Sequence, residues 1–373
     1  MKQLNGHHVI QLFEKFSPKR YALDGDRIGL QVGTLNKPIK KIMIALDVLE
    51  EVVDEAITEN VDLIIAHHPL IYRPLKNINT ETAYGRTIEK LLAHQVTVYA
   101  AHTNLDVAVG GVNDLLAEAL GLKETEVLVP TMEIPLKKLF VFVPEEDADH
   151  VRKALGDAGA GAIGNYTHCS FSSKGIGSFR PDTGSNPHIG ERGKQEFVDE
   201  VKIECIFPES IEKQVIQAML KAHPYEEVAY DLYKLDNNSS ERLGLGRIGY
   251  LTSEMTLKQF AEHVKQVLSV SNVRVTGNLN DKVKKVAVLG GDGNKYMTSA
   301  VMQDADVYVT GDVYYHVAHD AMMAGLNIVD PGHNVEKIMK DGVKRILEQK
   351  VTEKGYDVKI ITSKVNTDPF QFI

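Results

Sequence analysis

Cysteine is scarce in this sequence, with only Cys169 and Cys205 among 373 residues. That excludes a disulfide scaffold and a multi-cysteine zinc site, and it makes a reducing cytoplasm the natural compartment. No apolar run reaches the roughly 18–20 residues that a spanning helix needs. The opening stretch, MKQLNGHHVIQLFEKF, is amphipathic rather than a signal peptide. Cations are in deficit: 42 Lys+Arg against 51 Asp+Glu leave a net charge of -9, which argues against a nucleic-acid backbone as the main partner. What is present is ordinary for a globular chain, with 43% hydrophobic and 25% charged residues and a mean hydropathy of -0.18. At about 150 residues per domain, the length implies two or three domains. Histidine is the informative count, at 14.

Strand and helix signals alternate at the start. Lys41–Leu46, Val61–Ala66 and Val96–Ala101 are short apolar runs that predict strands. Helical periodicity at Val9–Phe16, Leu49–Thr58, Thr87–His94 and Asn113–Leu120 flanks or separates them. This order implies βαβ units and a largely parallel sheet covered on both faces. The pattern then changes. Strands at Leu136–Val143, Val201–Phe207 and Val228–Leu235 accompany helices at Asp147–Ala158 and Ile211–Ala222. Between them lies a Gly-, Ser- and Pro-rich segment, Ser172–Gly193, expected to form hairpin turns or a mobile loop. That succession predicts a split βαβ, ferredoxin-like unit. From Arg247 the α/β pattern returns, with strands at Val283–Leu289, Asp306–Thr310, Leu326–Val329 and Val358–Thr362 and a closing helix at Glu336–Gln349. The expected architecture is an α/β core with a mostly parallel sheet, residues 1–127 and 245–373, interrupted by an inserted ferredoxin-like α+β domain at 128–244.

Chemistry-bearing residues gather just past strand ends, where open α/β sheets place their ligands. His67 and His68 follow Val61–Ala66, and Pro69 restricts His68 to an extended backbone. His102 and Asp106 follow Val96–Ala101, although Asp106 could instead cap a helix or close an Asx turn. His333 and Glu336 follow Leu326–Val329; at i and i+3 they share one helical face, and the bland alternative is a glutamate complementing the helix dipole. His67, His68, Asp106, His333 and Glu336 make three imidazoles and two carboxylates. One catalytic zinc needs about three protein ligands plus water. Five exceed that, whereas two ions bridged by a carboxylate would use them all. Ions roughly 3.5–4 Å apart generate hydroxide at neutral pH, as in phosphatases and nucleases. Nitrogen and oxygen ligands suit zinc, iron, manganese, cobalt or nickel without choosing among them. His316 and His102 are candidate catalytic proton relays, with a solvent-facing His316 equally compatible. Asp47 could orient a ligand histidine or cap a helix, and Gly290–Asn294 could cradle a phosphate, though a tight turn is the plainer reading.

AHHPLIY at 66–72, HTNLD at 102–106, GGDGN at 290–294, TGDVYYH at 310–316 and DPGHNVEK at 330–337 resemble the motifs of the GTP cyclohydrolase 1 type 2 homolog family, the Ngg-interacting-factor-3-like proteins. The chain is similar to their longer, YqfO-type bacterial members, whose variable middle segment is a PII- or CutA-like domain. The resemblance implies two divalent metal ions per subunit, zinc foremost, held by the five residues named above. It also implies a toroidal homohexamer with the metal sites facing an internal cavity. Many shorter members place the final glutamate four residues after the histidine, whereas here the spacing is three. The implied activity is that of a metal-dependent hydrolase acting on a nucleotide such as GTP or on a phosphoester. The alternative is a non-catalytic metal-binding, regulatory or chaperone oligomer.

Overall fold

The computed structural model describes residues 4–236 and 241–373. The chain divides into two compact units, one of residues 1–132 and 243–373, the other of residues 133–242.

The first unit is built on two sheets. One has the strand order β1-β4-β3-β2-β15, from Gly29–Val32 (β1), Lys41–Ala45 (β2), Leu63–Ala66 (β3), Thr97–Ala100 (β4) and Lys359–Thr362 (β15). Its four inner and C-terminal strands run parallel, and β1 closes one edge antiparallel to β4. The other has the order β11-β14-β13-β12-β10-β5, from Lys123–Ile134 (β5), Glu241–Thr256 (β10), Arg274–Thr276 (β11), Lys282–Asp292 (β12), Val307–Gly311 (β13) and Asn327–Asp330 (β14). Here β12, β13 and β14 are parallel, flanked by antiparallel β10 and β11. β3 and β4 are buried at every position, as strands covered on both faces must be. Alternate side chains then divide between two cores. Ile42, Ile44, Leu63 and Ile65 join Val286, Val288, Val307 and Val309 in one cluster. Met43, Ala45, Ile64 and Ala66 point the other way, onto Val52, Val53 and Leu91.

In the second unit, Leu136–Pro144 (β6), Phe171–Phe179 (β7), Glu196–Pro208 (β8) and Tyr230–Lys234 (β9) form an antiparallel sheet of order β7-β8-β6-β9. Helices Ala148–Asp157 and Glu212–Ala222 pack against one face through Val151, Leu155, Val215 and Met219. This is the βαββαβ ferredoxin-like arrangement. Part of the segment expected to be loop, 171–179, is instead the edge strand β7. It is almost wholly exposed, so no alternating apolar pattern marks it.

Among the described residues no helix is long and apolar enough to cross a membrane.

Candidate metal centre

The carboxyl ends of β2, β3 and β4 in one sheet and of β12, β13 and β14 in the other meet at one point. His67 and His68 leave β3, His102 leaves β4, and His333 and Glu336 lie on a 3₁₀ helix, His333–Ile338, just past β14. That helix corrects the expected start of an α-helix at 336, since the α-helical part begins at Met339. The change matters for the ligand spacing. With about three residues per turn, i and i+3 eclipse, and His333 Nε2 stands 3.2 Å from Glu336 Oε2. A spacing of three therefore serves as well here as four would on an α-helix.

Glu336 is the hub. It is buried, and its Oε2 lies 3.1 Å from His68 Nε2 and 3.6 Å from His67 Nε2. Asp106 Oδ1 approaches His67 Nε2 from the other side at 3.6 Å, too far for a hydrogen bond. The donors fall into three triads that could hold a metal ion: His67 with Asp106 and Glu336, His68 with His333 and Glu336, and His67 with His68 and His102. The five sequence-derived ligand candidates are thus all brought together, and His102 joins them. His316 is not. It is exposed, its ring edge-on to Tyr315, and it lines neither cavity at the cluster.

Each imidazole is oriented through its other nitrogen. His67 Nδ1–H donates to the Ala101 carbonyl at 3.0 Å, and His68 Nδ1–H donates to Asp47 at 2.6 Å. His333 Nδ1–H donates to Asp312 at 2.7 Å, and His102 Nδ1–H to Asp26 at 2.9 Å. Four Nδ1 protons held outward leave four Nε2 atoms turned inward, the arrangement typical of ligating histidines. Asp47 settles as an orienting residue; no side chain caps the helix that follows it. Asp26 and Asp312 went unread in the sequence. Asp312 lies in the TGDVYYH segment at the tip of β13, but its backbone turns with φ 55, a left-handed conformation that the sequence does not announce.

Charge at the cluster follows from burial and these bonds. Burial alone would push His68 down, but the bonds to Asp47 and Glu336 raise it to about 10. The bond to Glu336 lifts His333 to about 9 against burial, with Asp312 adding to it. Burial raises Asp106 to about 6, the charge of Glu336 adding to the effect while His67 opposes it. Glu336 itself is held below the usual carboxylate range: burial opposes this, but the facing His67, His333 and His68 prevail. Burial likewise works against Asp26, yet the bonds from His102 and Thr103 keep its carboxyl well below the usual range.

Two features fit a cation. His67 Nε2 and Asp106 Oδ1 are buried with no hydrogen-bond partner, a state that costs free energy unless something else satisfies them. Backbone also gives way at the centre. A Cβ on Gly291, at φ +65, would stand 2.7 Å from Glu336 Oε1 and 3.1 Å from His333 Nε2, so glycine keeps that space open. In the Gly290–Asn294 segment three of the five N–H groups are already engaged, which favours the tight-turn reading over a phosphate cradle. Gly290 donates to Asn113, Gly293 to Thr310 and Asn294 to Asp292.

Comparison with known proteins identifies the family. The profile of the family Duf34/NIF3 (NGG1p interacting factor 3) matches residues 4–369. A GTP cyclohydrolase 1 type 2 homolog of Bacillus subtilis (strain 168) is 62% identical over 372 residues, covering 100% of both chains. One from Listeria innocua is 49% identical over 373 residues, again covering 100% of both. Among solved structures, a Bacillus cereus protein related to NIF3 superposes with a TM-score of 0.93 at 62% identity, covering 100% of both chains. A Staphylococcus aureus protein gives 0.75 at 32% identity, also with 100% coverage of both. With His67, His68, Asp106, His333 and Glu336 gathered where the two sheets end, and the match running almost end to end, the chain belongs to the Duf34/NIF3 family.

Proposed function

We propose that the protein is a dinuclear metal hydrolase of the kind its relatives' name suggests, acting on a small molecule such as a nucleotide or another phosphoester. The observation that carries this reading is the division of the donors into two triads sharing one carboxylate: His67 and Asp106 on one side of Glu336, His68 and His333 on the other. A carboxylate shared between two half-sites of mixed nitrogen and oxygen donors is what a pair of divalent ions needs, and zinc, iron, manganese, cobalt and nickel all suit it. Such ions supply Lewis acidity and lower the pKa of water toward neutrality.

The residues of the chain do the rest. Asp47, Asp312 and the Ala101 carbonyl fix the ring orientations of His68, His333 and His67. A cavity of about 520 Å³ opens on the cluster, with Leu23, Tyr72, Leu245 and Leu289 among its apolar walls. These walls exclude water from one side of a bound molecule. His102, its Nδ1 proton held by Asp26, turns Nε2 toward the same cavity, where it can hold or pass on a proton.

Metal analysis and a hydrolysis panel test this together. Protein purified without added ions should carry close to two ions per chain, and turnover of GTP or a phosphoester should fall about 100-fold or more in Glu336→Gln. Two ions bound with no turnover on any substrate would instead support the metal-carrier or regulatory alternative. No bound metal under excess divalent salt would end both readings.

Self-association into the ring-shaped homohexamer is part of the proposal. The helix Tyr315–Met323 buries only Ala321, leaving Tyr315, Met322 and Met323 open to a second copy. Light scattering should report a multiple of the 41.3 kDa chain, and a monomer mass would refute it.

A further inference from the structure

Three lysines line a small cavity beside the metal centre, where the charges of Asp341, Glu55 and Asp47 reach Lys340. The cavity is about 170 Å³, and Lys337, Lys340 and Lys364 line it together with Asn334 and Asp47. Among the described residues none of the three lysines pairs with a carboxylate. Lys337 Nζ donates to the Ser269 carbonyl at 3.2 Å and Lys340 Nζ to the Ser363 carbonyl at 2.9 Å. Each therefore keeps donors to spare, since an ammonium offers three. Two of the three acids whose charge reaches Lys340 are already engaged. Asp47 accepts from His68 and Thr367, and Glu55 accepts from the Ser363 hydroxyl at 2.5 Å and the Lys364 N–H at 2.9 Å. The Asn334 amide oxygen is buried with no partner, leaving that side chain free to reorient toward an incoming group.

The cavity's position gives it meaning. A larger cavity of about 550 Å³ reaches His68 and His333 and shares Leu46, Asp47, Asn334 and Thr367 with the small one. The 520 Å³ cavity on the cluster differs: its titratable lining is Asp106, Asp292 and Glu336 with the imidazoles of His68, His102 and His333, and it has no lysine or arginine. Lysine donors for an anionic group therefore lie on the small-cavity side. Ligand sites for whole small molecules run to about 300 Å³ and above, so 170 Å³ accommodates a group rather than a complete ligand. Lysine binds phosphate as a mobile point charge.

We propose that Lys337, Lys340 and Lys364 form a subsite for a phosphate group, the non-reacting handle of a phosphorylated small molecule whose other end lies at the His68–Glu336 cluster. The second half of that statement rests on the hydrolase reading; the subsite does not. Remote binding of this sort holds a substrate in place for chemistry elsewhere.

The test is titration of the full-length, as-purified protein with inorganic phosphate, followed by calorimetry, with metal content measured on every sample. Lys337→Gln/Lys340→Gln should weaken phosphate binding by about tenfold or more at unchanged metal content, and Lys337→Arg/Lys340→Arg should restore most of it. Chelator-treated protein should still bind phosphate, which separates this subsite from the metal reading. Phosphate binding that stays within about twofold in the glutamine variant would overturn the proposal, because the ions or another surface would then be the site. Failure of the wild-type protein to bind phosphate would overturn it too. Acetate binding as tightly as phosphate would overturn the assignment of the group.

Discussion

In the metal-free chain, His68 at about 10 and His333 at about 9 are both doubly protonated at neutral pH, because a carboxylate faces each nitrogen of each ring, buried Glu336 on one side and partly exposed Asp47 or Asp312 on the other. A divalent ion that takes their Nε2 lone pairs must displace both protons. Below about pH 9 the apparent association constant should then climb steeply, approaching about 100-fold per pH unit, ten for each proton released. Unperturbed histidines, near 6.5, would be largely neutral by pH 7.5 and would give an almost flat profile above it. The two cases separate cleanly between pH 7.5 and 8.5. A zinc competition titration against a chelator, corrected for the chelator's own protonation, should show binding tighter by about 10- to 100-fold at the higher pH. A change below about threefold would refute the reasoning, since it would mean that the carboxylates do not hold those protons. Stability of the metal-free protein should move oppositely. His68 has a folded pKa above its unfolded value, so its contribution is fully present below about 6.5 and is lost as pH rises toward 10, at about 1.4 kcal/mol per unit.

Three further outcomes follow from other parts of the fold. Arg247 is buried and donates to Asp114, so Asp114→Asn should strand that guanidinium charge and lower stability by about 3 kcal/mol, read as a fall in the urea midpoint at unchanged slope. Gly291→Ala should reduce metal content and stability together, because the added methyl meets Glu336 and the backbone at φ +65 disfavours alanine; an unchanged metal stoichiometry would count against glycine keeping that space open for an ion. In the ferredoxin-like unit, burial holds His223 below its usual pKa, while Tyr225 N–H donates to its Nδ1 at 3.0 Å and its Nε2–H donates to the Phe142 carbonyl at 2.9 Å. Its stabilising effect is present above about pH 6.5 and lost as pH falls below it, and an NMR titration of this ring with a midpoint at or above 6.5 would contradict the buried geometry.

Much of this protein was legible from local pattern. The short apolar runs at 41–46, 61–66 and 96–101 predict covered strands, and their lengths leave His67, His68, His102 and Asp106 past the strand ends. The five candidate ligands were readable because ligand chemistry restricts residue type, and strand ends restrict place. Other features had no local signature. β1, at Gly29–Val32, is a four-residue edge strand too short and too mixed in polarity to stand out, and β7 is exposed along nearly all its length. The core was expected as one sheet's worth of strands. That it holds two, facing each other through Ile42, Ile44, Val286 and Val307, depends on packing between segments more than 200 residues apart.

By itself, then, the sequence determined which residues lie at strand ends and which chemistry their side chains carry, because periodicity and residue type are local properties. Only the tertiary structure decided that Glu336 faces both His67 and His68, that Asp26 and Asp312 hold the rings of His102 and His333, and that His316 stands apart. Those relations arise where two sheets converge, and the distance between strand ends in different sheets is set by how their cores interdigitate, which no single segment encodes.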